Sequence, residues 1–306
     1  MAHIPAMLGE MLSALAPHDG GTYIDGTFGA GGYSGAILES CDCGVVAFDR
    51  DESAIPRAEE FKKKYGARFR FFNERFSQIE RVMRENSIAP ADGLALDLGV
   101  SSMQIDDAKR GFSFMRDGPL SMRMGGNATD AACVLNTLRE DEIANIIYKY
   151  GEERRSRAIA RKIAEARRTA PIETTLRLAG IIKGAVGARQ ADRAVPKVFQ
   201  ALRIHVNDEL GELERALESS RRILAPDGRL VVVSFHSLED RLAKNFMNGR
   251  AGGGAPSSRY LPDMAENGKI YFKPLAKNAI LPSKEETERN PRSASAKLRA
   301  AVRIRG

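Results

Sequence analysis

A short apolar strand running into a glycine-rich turn, Tyr23-Ile-Asp-Gly-Thr-Phe-Gly-Ala-Gly-Gly32, constrains this chain more than any other segment. A helix beginning near Tyr33 follows, and a second strand, Gly44 to Phe48, ends at Asp49. This succession opens a parallel α/β sheet, in which ligands bind beyond the carboxyl ends of the strands. Gly26, Gly29, Gly31 and Gly32 carry no Cβ, so backbone N–H groups there can approach a ligand. Asp49 stands where a carboxylate accepts both hydroxyls of a ribose. Together these residues predict a pocket for an adenosine-type nucleotide.

Two cofactor classes compete for such a pocket. A dinucleotide wants G-x-G-x-x-G, but reading from Gly29 gives Gly29-x-Gly31-x-x-Ser34, without the third glycine. The other pattern, an acid followed by spaced glycines, is Asp25-Gly-x-x-Gly-x-Gly-Gly32. S-adenosylmethionine has no pyrophosphate, and its ammonium and carboxylate need a nearby acid and free amides. Asp25 suits that chemistry, because a carboxylate beside a phosphate repels it. The bland alternative is a tight strand-to-helix turn with no ligand.

Further strands are expected at Phe69 to Phe72 and Gly93 to Leu98, with helices over Glu52 to Tyr65 and Ile79 to Glu85 between. Buried strands alternating with helices argue for a parallel sheet covered on both faces. The alternation stops between about Asp107 and His205, where a Gly/Met-rich loop precedes helices such as Leu138 to Tyr150, with Thr137-x-x-Glu140 as a capping box. Strands resume at Arg229 to Phe235, after a helix striped by Leu210, Leu213 and Leu217 and stopped by a Pro226-Asp-Gly228 turn. Ile270 to Leu275 and Leu298 to Ile304 complete about seven strands. The organisation expected is one Rossmann-like α/β domain (1–106 and 206–306) interrupted by a helical insertion (107–205). Gly252 to Ser258 reads as a mobile loop.

Composition narrows the partners. No run of 18 apolar residues exists and no basic-then-apolar leader opens the chain, so neither a membrane span nor a signal peptide is expected. Cys41, Cys43 and Cys133 do not make a four-ligand metal set, and no metal site is read; a reduced, cytoplasmic protein is the default. The net charge is +7, a weak nucleic-acid signal by itself. Its distribution says more. Glu152 to Arg168 carries seven basic residues against three acidic ones. Ile159, Ile163 and Ala166 form its buried stripe, which turns Arg154, Arg155, Arg157, Arg161 and Lys162 outward as a solvated or a phosphate-binding face.

The strand-end rule collects dispersed residues into one place. Asp25 and the glycines end strand one, Asp49 ends strand two, and Phe76, an adenine-stacking or core aromatic, lies just past strand three. Asp97 ends strand four, and Ser234-Phe-His-Ser237 ends strand five. Asp97-Leu-Gly-Val-Ser-Ser-x-Gln104 and Arg110-Gly-Phe-Ser-Phe-Met-Arg-Asp-Gly-Pro-Leu-x-Met-Arg-Met124 resemble the RsmH (MraW) family. Tyr150-Gly-Glu-Glu-Arg154, Phe199 to Ile204, Val233 to Arg241 and Asn290-Pro-Arg292 extend the resemblance over nearly the whole chain.

The resemblance implies an S-adenosylmethionine-dependent methyltransferase fold, a seven-stranded Rossmann-like sheet with a helical insertion. It implies methylation of N4 of a decoding-centre cytidine in 16S rRNA of the small ribosomal subunit, with RNA recognition by the insertion. The family's cofactor positions fall on Gly31, Gly32, Tyr33, Asp49, Phe76, Asp97 and Gln104. Tyr33 departs from the family's usual His, which a backbone contact would survive and an imidazole contact would not. Amino-methyltransferases often place two prolines after the strand-four acid, whereas here Asp97-Leu-Gly follows. Ser234 and His236 are therefore the candidates for facing the base, His236 with a structural histidine as its alternative. Assembly as a homodimer is compatible with this reading. The rival functions are an NAD-dependent oxidoreductase and a non-catalytic RNA-binding or ribosome-assembly factor that keeps the pocket.

Overall fold

A computed structural model describes residues 5–126, 129–249 and 270–305; the Gly252 to Ser258 stretch lies outside them. The chain divides into two compact units, Met1–Gly99 with Leu210–Gly306, and Val100–Glu209.

The first unit is built on β1 (Thr22–Asp25), β2 (Gly44–Phe48), β3 (Phe69–Phe72), β4 (Ala91–Asp97), β5 (Leu224–Ser234), β6 (Phe272–Pro274) and β7 (Lys297–Arg303). They form one seven-stranded sheet in the order β3-β2-β1-β4-β5-β7-β6, parallel except where β7 runs antiparallel to β5 and β6. Period-two alternation explains why the strands read as unbroken apolar runs. Tyr23, Val45, Ala47, Ala95 and Val231 face one core, covered by α1 (Leu8–Leu15), α2 (Gly32–Ser40) and α3 (Ile55–Tyr65). Ile24, Val46, Leu94, Leu96 and Val232 face the other. That core is covered by α4 (Ile79–Glu85), α11 (Glu209–Ile223) and α12 (Ser237–Met247). Strand order reverses between β1 and β4, so the carboxyl ends carrying Asp25 and Asp97 border the crevice where a ligand binds. The short α13 (Lys284–Arg289) precedes β7.

The second unit is all helical, with α5 (Ser102–Asp106), α6 (Ala131–Thr137), α7 (Glu140–Gly151), α8 (Ser156–Thr169), α9 (Thr175–Val186) and α10 (Ala188–Asn207). Ile143, Ile147, Ile159, Ile163, Leu178, Ile182, Val198 and Leu202 fill its separate core. Asn207 pins the loop before α6, accepting from the Met124 amide and donating to the Met122 carbonyl.

Two local expectations are corrected. Thr137 does not cap α7: its hydroxyl donates to Cys133 O at 2.7 Å and closes α6 instead. The helix starts later, where Glu142 accepts the Arg139 amide. Pro226 to Gly228 does not separate helix from strand either. Ala91 pairs with Leu224 and Gly93 with Arg229, so these residues loop out of a β5 that has already begun.

Candidate functional site

The glycine turn is fixed from within. Asp25, fully buried, accepts from the Thr27 amide at 3.1 Å, the Ser34 amide at 3.1 Å and the Ser34 hydroxyl at 2.7 Å. Those bonds tie the end of β1 to the first turn of α2. The acid expected to meet a cofactor ammonium is thus committed to holding the turn. Burial still raises its pKa, against those hydrogen bonds.

The glycines also have internal reasons. A Cβ on Gly31, which sits at φ +80°, would strike the Phe61 ring, and one on Gly32 would strike Pro5. Gly29, at φ +51°, has open space around it but needs its left-handed backbone. What remains available to a ligand is the start of α2. The Gly32 and Tyr33 amides have no acceptor among the described residues, as the first amides of any helix lack one within it. The Tyr33 ring is buried and its hydroxyl donates to Ala6 O at 2.7 Å, so only its backbone faces the turn.

Asp49 closes the other side. Its Oδ2 accepts the Gly29 amide at 2.7 Å and its Oδ1 the Asp51 amide at 2.8 Å. Each carboxylate oxygen can accept a second hydrogen bond, so both can still receive a ribose hydroxyl. Burial lifts its pKa to about 6, with Asp51 and Asp25 adding to the rise. Half-buried Phe76 packs beside this turn, within reach of Gly26.

Asp97 is the unusual group. Its amide donates to Thr27 Oγ1 at 2.7 Å, but its Oδ1 is enclosed and has no partner among the described residues. Burial drives its pKa well above the usual carboxylate range, reinforced by the carboxylates of Asp25, Glu239 and Glu286. Glu286, on α13, also accepts the Met7 amide. Sequence reading missed Glu239 and Glu286. Only the fold carries them from distant segments to Asp97.

An enclosed carboxylate oxygen among acids calls for a cationic ligand. A pyrophosphate would bring further negative charge into a pocket whose buried acids already disfavour their own. The crevice therefore suits S-adenosylmethionine, whose ammonium and sulfonium are cationic, better than a dinucleotide.

The other candidates are placed differently. Gln104 belongs to the second unit, where its Oε1 accepts the Ser101 amide at 3.0 Å in the capping box of α5. Ser234 is buried and donates to Lys297 O at 3.3 Å. His236 caps α12: its Nδ1 accepts the Glu239 amide at 3.4 Å and its Nε2 lies 3.1 Å from Glu239 Oε1. Only Nδ1 is thus hydrogen-bonded to Glu239, whose Oε2 in turn accepts the Phe235 amide; the buried Nε2 has no hydrogen-bond partner among the described residues.

The chain is similar to known proteins along nearly its whole length. A protein of Maricaulis maris, named ribosomal RNA small subunit methyltransferase H, is 54% identical over 303 residues, covering 98% of this chain and 91% of its own. One of the same name from Rickettsia massiliae is 51% identical over 306 residues, covering 99% and 98%. The crystal structure of an rRNA methylase from Streptococcus thermophilus aligns over 100% of this chain and 99% of its own, at 10% identity and a TM-score of 0.45. The model of the MraW methylase family matches residues 1–304, and the chain belongs to that family.

Proposed function

We propose that this protein transfers a methyl group from S-adenosylmethionine to N4 of a decoding-centre cytidine in 16S rRNA of the small ribosomal subunit. The observation that carries this reading is the near full-length identity, 54% and 51%, to proteins named ribosomal RNA small subunit methyltransferase H. The family blocks Asp97 to Gln104 and Arg110 to Met124 support the finer target.

The bound cofactor supplies an electrophilic methyl on a sulfonium. The chain's part is to hold it and to present the acceptor in line. Asp97 would hold the ammonium, the Gly32 and Tyr33 amides the carboxylate, and Asp49 the ribose, with Phe76 and Gln104 as the remaining family positions. The N4 lone pair of cytosine is delocalised into the ring, so binding its hydrogens both localises the pair and prepares proton loss. A base inside structured RNA must be unstacked to be reached. The Val100–Glu209 unit, through the basic α8, supplies contacts to the RNA in this reading. Ser234 and His236 act as positioning residues by fixing the turn from β5 into α12. His236→Asn, which keeps a capping acceptor, should retain kcat; a large loss would make the imidazole a proton acceptor.

Methyl transfer from labelled S-adenosylmethionine to unmodified small subunits, read by nucleoside mass spectrometry, tests the whole reading. N4-methylcytidine is the expected product. Label on another nucleoside would overturn the target, and tight cofactor binding without turnover would favour a non-catalytic factor.

Asp49→Ala is expected to cost about 1.5–3 kcal/mol of cofactor affinity, the range for hydrogen bonds to a charged group. Because the Asp49 pKa is raised to about 6, protonation should weaken wild-type binding as pH falls through that value. In Asp49→Ala this loss should be absent. Calorimetry across that range checks both statements, and unchanged affinity would remove Asp49 from the pocket.

A further inference from the structure

Within the Val100–Glu209 unit, α7 to α10 are joined by short connections and each packs on its neighbours, so they run up and down. The last turn of α7 and the start of α8 therefore share one end of the bundle with the α9–α10 corner. Arg155 Nη1 ties the start of α8 to the α9–α10 corner by donating to Val186 O at 2.9 Å, and the end of α7 is held farther along α10, where Gln200 donates to Tyr150 O at 3.0 Å. Lys149, Arg154, Arg157, Lys183, Arg189 and Arg193 are all exposed there. Arg154, Arg157, Lys183, Arg189 and Arg193 have no ion-pair partner among the described residues. Of the nearby acids, Glu153 is spent on Lys197, at 3.8 Å, and on the Arg155 amide.

The helices make this end more positive still. Neither α8 nor α10 has an acid in its first turn, where the helix dipole favours one. Arginines at a positive helix end break a local rule without a gain to the fold, a pattern that marks binding surfaces. The opposite end of the bundle is arranged otherwise. There Arg167 donates to Leu135 O and Leu138 O, both at 2.6 Å, Arg177 donates to Ala170 O, and Arg139 pairs with Asp141 and Glu142. Those cations hold structure; at the first end Arg155 does so as well, but Arg154, Arg157, Lys183, Arg189 and Arg193 have no ion-pair partner among the described residues. Beside them, on the last turn of α7, Tyr148 is 64% exposed. An outward aromatic among unpaired cations offers a face to an unstacked base while the arginines meet the flanking phosphates.

We infer that the α7–α8 and α9–α10 end of this bundle is the docking surface for a single-stranded stretch of RNA, with Tyr148 as its stacking platform. The inference rests on rRNA being the substrate and adds where, and how, that substrate is held.

The test is steady-state methyl transfer to unmodified small subunits by the full-length protein, over a range of salt concentrations. Arg154→Glu with Arg157→Glu should raise KM about tenfold or more and lower the slope of log KM against log salt by about 1.4, or 0.7 per lost contact to a single strand. kcat and cofactor affinity should stay as they are. Arg168→Glu on the same helix is the control. It lies about 16 Å from Arg157 along the axis, twice the Debye length of about 8 Å at physiological salt, and should change KM little. Tyr148→Ala should raise KM about fivefold or more, with Tyr148→Phe restoring it. Equal effects from both ends of α8 would reduce the surface to overall charge and overturn the inference, as would an unmoved KM in the double variant. A wild-type protein that binds cofactor but methylates no rRNA would instead overturn the functional reading itself.

Discussion

Asp97→Asn should raise the melting temperature of the free protein by a few degrees and weaken S-adenosylmethionine binding by roughly 10- to 150-fold. Both effects come from one enclosed oxygen that has no partner among the described residues. The native pKa of Asp97 lies well above 3.8 because burial and the carboxylates of Asp25, Glu239 and Glu286 penalise its charge. The native state thus holds this proton more tightly than the unfolded chain does. Its contribution to stability is fully present below the unfolded value and is lost as pH rises through the native one. At neutral pH the free protein carries that cost, and the neutral amide of Asn does not. The melting-temperature advantage of the variant should therefore be small at about pH 4 and grow toward pH 8. Cofactor binding runs the other way, since an ammonium repays the buried charge and an amide cannot. Thermal scans across pH with and without S-adenosylmethionine measure both. A variant that is less stable than wild type at pH 8, or that binds cofactor unchanged, would remove Asp97 from this role.

Much of this was legible in the sequence, for physical reasons. A parallel sheet buried on both faces writes itself as short continuous apolar runs, and Gly44 to Phe48 and Phe69 to Phe72 fall where they were expected. The strand-end rule then brought Asp25, Asp49 and Asp97 to one crevice without coordinates. What stayed illegible was the division of labour among them. A motif shows that an acid precedes spaced glycines, but not whether its oxygens are already taken. Gly31 and Gly32 show the same limit: they read as room for a ligand, and Phe61 and Pro5 occupy the space their missing side chains leave. Arg155 was read as outward, on a solvated or a phosphate-binding face, yet its guanidinium holds Val186 O. Long side chains on a helix can bend back along the surface, and periodicity does not see that.

The sharpest test of that division is a second aspartate with the opposite sign. Asp25→Ala should lower the melting temperature by roughly 6–12 °C, about 3 kcal/mol in a domain of this size. The substitution strips a common acceptor from the Thr27 amide, the Ser34 amide and the Ser34 hydroxyl. Each buried donor left without a partner costs about 1–3 kcal/mol. Burial does raise the Asp25 pKa, so deleting its charge recovers something. That gain is outweighed because three donors remain to be satisfied, whereas Asp97 Oδ1 leaves none. Ser34→Ala, which removes one donor together with its bond to Asp25, should cost less than half as much. Two carboxylates at the ends of adjacent strands, both with raised pKa values, would thus respond oppositely to neutralisation. If Asp25→Ala were as stable as wild type and lost only cofactor affinity, Asp25 would be the ligand acid after all, and the turn would be held by its glycines alone.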